Sequence, residues 1–207
     1  MSAPANSTKN KPHSKNDGTV LEYKQLKPAI EAALLACGGS LSIKQMLVLF
    51  ASQGNLERGD IQAALDELTI DCEERGVELV QIASGYRMQI KQDVFPWIAK
   101  LWEERPPKYS RALLETLSII AYQQPVTRGE IEKIRGVSVS SQIIRTLDER
   151  DWIRVLGHRD VPGRPALFGT TRAFLDYFSL TSLADLPTLS EIKDLDNLEP
   201  ELDFGQT

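Results

Sequence analysis

Two segments of the chain, 85 positions apart (Leu41 against Val126), carry one pattern. LLACGGSLSIKQM (34–46) and IIAYQQPVTRGEI (119–131) each end an apolar helical stretch at a polar break and then restart a helix. Ser42 falls on Thr127, Gln45 on Glu130 and Met46 on Ile131. A hydroxyl followed three residues on by Gln or Glu is a capping box: each side chain satisfies a backbone N–H left free at a helix start. A motif repeated at fixed offset means one supersecondary unit built twice.

The flanking residues give the unit its other parts. In the first half Pro28 occupies a first helical position before AIEAALLAC, whose Ile30, Ala33, Leu34 and Cys37 share a face, and Gly38–Gly39 end it. The Ser42 box opens IKQMLVLFASQ, which closes at Gly54. Asp60 caps a third helix, IQAALDELTIDCEER, ended by Gly76. VELVQI and YRMQI flank ASG as a hairpin with a connection longer than the tightest turns. VFPWIAKLWEE follows as a helix capped by Asp93.

In the second half RALLETLSIIAY follows Ser110 and breaks at Gln124–Pro125. The Thr127–Glu130 box opens GEIEKIR, closed by Gly136; Ser138 caps VSSQIIRTLDER, with Val139, Ile143 and Leu147 at helical spacing. WIRVLGH and ALFGTT flank a Pro/Gly-rich loop as a second hairpin, and Thr171 caps RAFLDYF. Helix, capped helix, helix, hairpin, twice over, predicts an α+β chain, mainly α, of tandem winged-helix domains. Their expected limits are 21–105 and 108–188. The proline-bearing stretch ERPPKYS links them, a disordered tail precedes them over 1–20, and an acidic flexible tail follows over 189–207.

Charge narrows the function. The net charge is −5, unlike a chain that coats nucleic acid. Residues 108–177 carry 11 basic and 8 acidic side chains, whereas 178–207 carry 1 and 7. Catalysis lacks its parts: His13 lies in the tail, His158 reads as a surface wing residue, and no Gly-x-Ser-x-Gly, Walker loop or Cys/His pairing occurs. Cys37 and Cys72, 35 residues apart without CxxC spacing, read as two buried thiols rather than a zinc site or a disulfide. No apolar run is long enough for a membrane span, and no secretory leader is visible. The expectation is a cytoplasmic, non-catalytic protein without cofactor or metal.

Winged helices commonly read DNA with the third helix, which then presents Arg, Lys, Asn or Gln. Here the first such helix carries Asp66, Glu67, Asp71, Glu73 and Glu74, which a phosphate backbone would repel. The second offers Gln142 and Arg145 against Asp148 and Glu149, and its wing adds Arg159 and Arg164. That leaves weak DNA contact by the second half, and a nucleoid-associated or regulatory DNA-binding protein using the second winged helix stays as the alternative reading. Arg128 sits in a helix first turn, where a cation is mildly unfavourable, whereas Arg135 suits a helix C-terminus. Arg128, Arg135, Arg145 and Arg164 are the candidate partner-binding residues, each with a structural role as the alternative, a surface ion pair in the case of Arg128.

In order along the chain, SRALLETLSIIAYQQPVTRGEIEKIRGV, LDERDWI, VPGRPALFGTT and FLDYFSLTSLADLP together resemble the bacterial segregation and condensation protein B family. The similarity is dense over 108–188, looser over 26–105, and departs at Gln123–Gln124, where Arg-Gln is commoner, and at the non-glycine Asp151. The resemblance implies a homodimer formed through the first winged helices. It also implies binding to the kleisin, segregation and condensation protein A, and through it to the SMC ATPase. The implied place of work is the nucleoid, in chromosome condensation and segregation.

Overall fold

The computed structural model describes residues 23–53, 55–101 and 109–188. The expected tails, Gly54 and nearly all of the linker lie outside the described residues. Two sets of buried side chains form separate cores, one drawn from Leu26 to Tyr86 and one from Leu113 to Phe174.

In the first half α1 (Tyr23–Cys37) and α3 (Arg58–Asp71) pack together, with α2 (Ile43–Phe50) against α3 and the antiparallel hairpin β1 (Val77–Ile82) and β2 (Gly85–Ile90) at one side. Sequence reading places Pro28 at a helix start, but α1 already begins at Tyr23 with Pro28 inside it. The apolar stripe explains this: Leu26, Ile30 and Leu34 are 0%, 0% and 2% exposed. Burying Leu26 contributes about 1.5–3 kcal/mol, which offsets the one early helical bond that proline forgoes.

The capping box on α2 is present as expected: Gln45 N–H donates to Ser42 Oγ, and Ser42 N–H donates to Gln45 Oε1 at 2.8 Å. Two boundaries differ around α3. Its cap is Glu57, and Asp60 sits one turn inside, accepting the Glu57 N–H at 2.8 Å. The helix also ends at Asp71, before CEER and Gly76. The hairpin connection is two residues, Ala83–Ser84, tighter than expected, because Gly85 itself opens β2 and pairs with Ile82. Gly85 adopts φ +140°, and its missing side chain admits the backbone of Leu41, whose carbonyl O lies 2.3 Å from where a Cβ would stand. Leu41 and Tyr86 exchange two backbone hydrogen bonds there, both 2.9 Å. The expected long helix VFPWIAKLWEE is a short α4 (Phe95–Ile98) followed by a 3-10 turn to Leu101; Val94, not Asp93, precedes it.

The second half repeats the plan with α5 (Arg111–Gln123), β3 (Val126–Thr127), α6 (Arg128–Arg135), α7 (Ser141–Glu149), β4 (Ile153–His158), β5 (Ala166–Thr170) and α8 (Arg172–Tyr177). Strand order is β3-β5-β4, all antiparallel, so Val126 joins the wing through Phe168 as Leu41 joins it through Tyr86. Thr127 and Thr171 cap as expected, Ser110 caps α5 as well, and Gly136 closes α6 at φ +72°. For α7 the cap is Ser140, not Ser138. Val139 is fully buried and its N–H donates to Glu132 Oε1 at 2.9 Å, which keeps the chain extended up to Ser140. An aromatic group of Tyr109, Trp152, Tyr177 and Phe178 holds the start of this half to its end, with ring centroids 4.5–6.4 Å apart. Arg150 lies 4.7 Å from the Tyr109 ring centroid and donates to its hydroxyl.

Two predictions follow from these turns. Gly85→Ala forces both a strained φ and a backbone clash with Leu41, so it should lower urea-unfolding stability by roughly 2–4 kcal/mol. Gly129→Ala, open on all sides within α6, should raise it by up to about 1 kcal/mol. The second concerns acid. Glu130 accepts Thr127 N–H and hydroxyl at 2.8 and 2.9 Å, and these bonds, with Arg159 at 3.0 Å, hold its carboxyl below the ordinary 4.5. A lowered folded pKa gives stability that is complete above the unfolded value and is lost as pH falls through the folded one. Glu130→Gln should therefore flatten the fall of melting temperature between about pH 6 and pH 3, and an unchanged acid limb would contradict the assignment.

Candidate docking surfaces

The two halves meet where the β1–β2 turn lies against the end of α8. Asp176 accepts the Ser84 N–H at 2.9 Å through one carboxylate oxygen and the Ser84 hydroxyl through the other. Arg87 donates to the Asp176 carbonyl at 2.9 Å and to Ser179 Oγ at 2.8 Å. Ala83 N–H donates to Leu180 O at 2.9 Å. Five hydrogen bonds thus fix one winged helix on the other. No local pattern points to them: Ser84 and Asp176 are 92 positions apart.

Each arginine singled out in the sequence has a definite place. Arg128 spans the corner between α6 and α7, donating to Glu132 at 3.2 Å, Ser141 Oγ at 3.1 Å and the Val139 carbonyl. It binds a helix start to the next turn, which explains a cation at that position. Glu132 is held below the ordinary carboxylate range first by the Val139 N–H and then by Arg128. The Arg135 side chain is 8% exposed and pairs with Glu115 at 3.1 Å, tying α6 to α5, while its Nε is buried without a partner. Arg135 and Arg111 together lower the Glu115 carboxyl. Arg145 forms an i,i+4 pair with Glu149 at 2.7 Å. Arg164 stands apart on the exposed β4–β5 loop at φ +37°, with no side-chain hydrogen bond or ion pair among the described residues. The structure brings Arg128 and Arg135 onto the one helix α6 but does not gather the four into one site.

Several polar side chains of the third helices are likewise engaged. Lys27 pairs with Glu67 at 3.3 Å and Asp71 at 2.8 Å on α3, and on α7 Gln142 donates to Thr146. The apolar side chains outside the cores are numerous: Leu35, Val48, Leu49, Trp97 and Leu101 in the first half are 54–83% exposed. In the second half an apolar groove of about 320 Å³ runs between α5 and α8, lined by Leu114, Leu117, Phe174, Phe178 and Leu186. β4, an edge of its sheet, exposes Val155 and Leu156.

Among the described residues no His/Cys/Asp/Glu group suits a metal, and no helix is long and apolar enough to cross a membrane. His158 is exposed at the end of β4, as expected for a wing residue. Cys72 is buried, and burial pushes its thiol pKa up. Cys37 is exposed, against the expectation of two buried thiols, because it ends α1 beyond Leu34 and beside Gly38.

The family model described as "Segregation and condensation complex subunit ScpB" matches residues 28–189. The segregation and condensation protein B homolog of Coxiella burnetii is 52% identical over 180 residues, covering 87% of this chain and 85% of that protein. The segregation and condensation protein B of Geobacillus kaustophilus is 41% identical, covering 86% and 82%. Among solved structures, ScpB from Mycobacterium tuberculosis is 30% identical over 78% of this chain and 99% of its own, with a TM-score of 0.36. A dimer of an ScpB N-terminal domain complexed with an ScpA peptide is 30% identical over 38% of this chain and 96% of its own, with a TM-score of 0.35. The family match over both winged helices and the identity across nearly the full length of these relatives lead to one conclusion: the chain belongs to the segregation and condensation complex subunit ScpB family.

Proposed function

We propose that this protein is a non-catalytic scaffold of the SMC complex, a homodimer that captures an extended segment of the kleisin, segregation and condensation protein A. Through that kleisin it joins the SMC ATPase and supports chromosome condensation and segregation in the nucleoid. One observation carries the reading. On α3 and α7 the polar groups of Glu67, Asp71, Gln142 and Arg145 are engaged by Lys27, Thr146 and Glu149, while large apolar side chains stay outside both cores. Such a surface loses free energy on covering a partner, not on reading a phosphate backbone.

The surfaces divide between two partners. Leu35, Val48 and Leu49, on the helices of the first half, are the residues for a second copy. The α5–α8 groove and the β4 edge accept an apolar or extended kleisin segment, the first by side-chain insertion and the second by strand addition. Of the four arginines, Arg164 has a guanidinium free among the described residues to meet an acidic group of the kleisin. Arg128, Arg135 and Arg145 would have to exchange an existing partner first.

Mixing the protein with the kleisin of the same genome should give a complex at micromolar concentration, containing two copies of this chain by light scattering. Arg164→Ala should weaken it about fivefold, the worth of one exposed ion pair near 1 kcal/mol. Arg145→Ala should leave the affinity within about twofold, because that guanidinium is engaged by Glu149. Absence of any complex at these concentrations would overturn the reading. Duplex DNA binding that weakens steeply with salt, without kleisin binding, would replace it by a DNA-contacting role.

A further inference from the structure

A basic cleft of about 850 Å³ lies between the two winged helices, at the starts of α2, α3 and α8 and along the β1–β2 turn. Lys44 and Arg58 from the first half and Arg172 from the second line it, and none of its lining residues is acidic. In a chain with 29 carboxylates against 24 Lys and Arg, that is a local inversion of charge. All three cations are exposed, and none has an ion pair or side-chain hydrogen bond among the described residues. Two carboxylates near the cleft are already engaged: Asp60 accepts the Glu57 N–H, and Asp176 accepts from Ser84. Three like charges around one cleft repel each other until an anion enters.

We propose that the cleft holds the acidic segment 189–207 of the same chain. Glu191, Asp194, Asp196, Glu199, Glu201 and Asp203 face a single Lys193 there, so the segment has the complementary charge. It follows directly on Thr188, in the same half as Arg172, and its 19 residues (207 minus 188) reach up to about 60 Å when extended. Tethering sets an effective concentration on the order of millimolar, so individually weak, exposed ion pairs suffice to fill the cleft. The volume suits this occupant better than a duplex. It is that of a pocket for a small ligand or a few residues of peptide, and the hydrogen bonds from the turn to α8 close one side. Because Arg172 joins Lys44 and Arg58 only while those bonds hold, the site belongs to the two halves together.

Zero-length carbodiimide cross-linking of the full chain at high dilution, read by mass spectrometry, tests this through Lys44. Its amine should join carboxylates of 191–203 more often than Lys100 or Lys133 does. Raising the salt to about 0.5 M, where surface charges are screened within roughly 4 Å, should cut the yield at least fivefold. The double variant Arg58→Gln/Arg172→Gln should do the same, and its circular dichroism melt should match that of the unaltered chain, since both side chains are exposed. Three results would overturn the proposal. Cross-links could spread evenly over the lysines, the double variant could leave the Lys44 yield unchanged, or isotope-mixed samples could show Lys44 joined only to another copy's segment.

Discussion

Asp176 is the residue on which the arrangement of the two halves turns. Its carboxylate takes both the amide and the hydroxyl of Ser84, and its carbonyl takes Arg87. Hydrogen bonds to a charged group contribute about 1.5–3 kcal/mol each. That is large beside the stability of small domains, which bury only about 60% of the surface their unfolded chains expose. The Leu26-to-Tyr86 and Leu113-to-Phe174 cores share no buried side chain. A hairpin tip resting on the end of α8 therefore does what a shared core would otherwise do: it makes one body with a basic cleft on the seam and apolar faces outside.

The repeat made most of this legible. Leu41–Ser42–Gln45 and Val126–Thr127–Glu130 follow the same local chemistry in both halves, a residue that pairs with the wing and then a helix opened by a capping box. Errors arose where burial outweighed local signals. Leu26 draws α1 upstream of Pro28, and Val139 reaching for the core and for Glu132 moves the α7 cap from Ser138 to Ser140. Asp151, which departs from the family's usual glycine, sits at φ +55°. Its N–H donates to Asp148 O and the next amide donates to Leu147 O, which closes α7 in a Schellman turn. Aspartate tolerates the left-handed region better than most residues, so the departure leaves that turn intact.

Function was less legible than fold, for a physical reason. An arginine in a sequence shows its charge but not its partner. Arg128 looked like a binding residue because a cation suits a helix start poorly, yet it spends its donors on Glu132, Ser141 and Val139 within thirteen residues. The contacts that join the halves span 89 to 97 positions and involve Ala83, Ser84, Arg87, Asp176, Ser179 and Leu180, residue types that are common on any surface. Only the folded chain shows which charges are engaged and which, as at Lys44, Arg58, Arg164 and Arg172, have no partner among the described residues.

The most direct test of a scaffold with fixed halves is amide hydrogen exchange at Ala83 and Ser84. A two-residue hairpin turn standing in solvent exchanges at close to the rate of an unstructured chain. Donating to Leu180 and Asp176, these two amides should instead be slowed at least about a hundredfold, and Asp176→Ala should speed both together while the α3 amides stay protected. Fast exchange at both positions in the unaltered chain would contradict the account, because the two winged helices would then move independently.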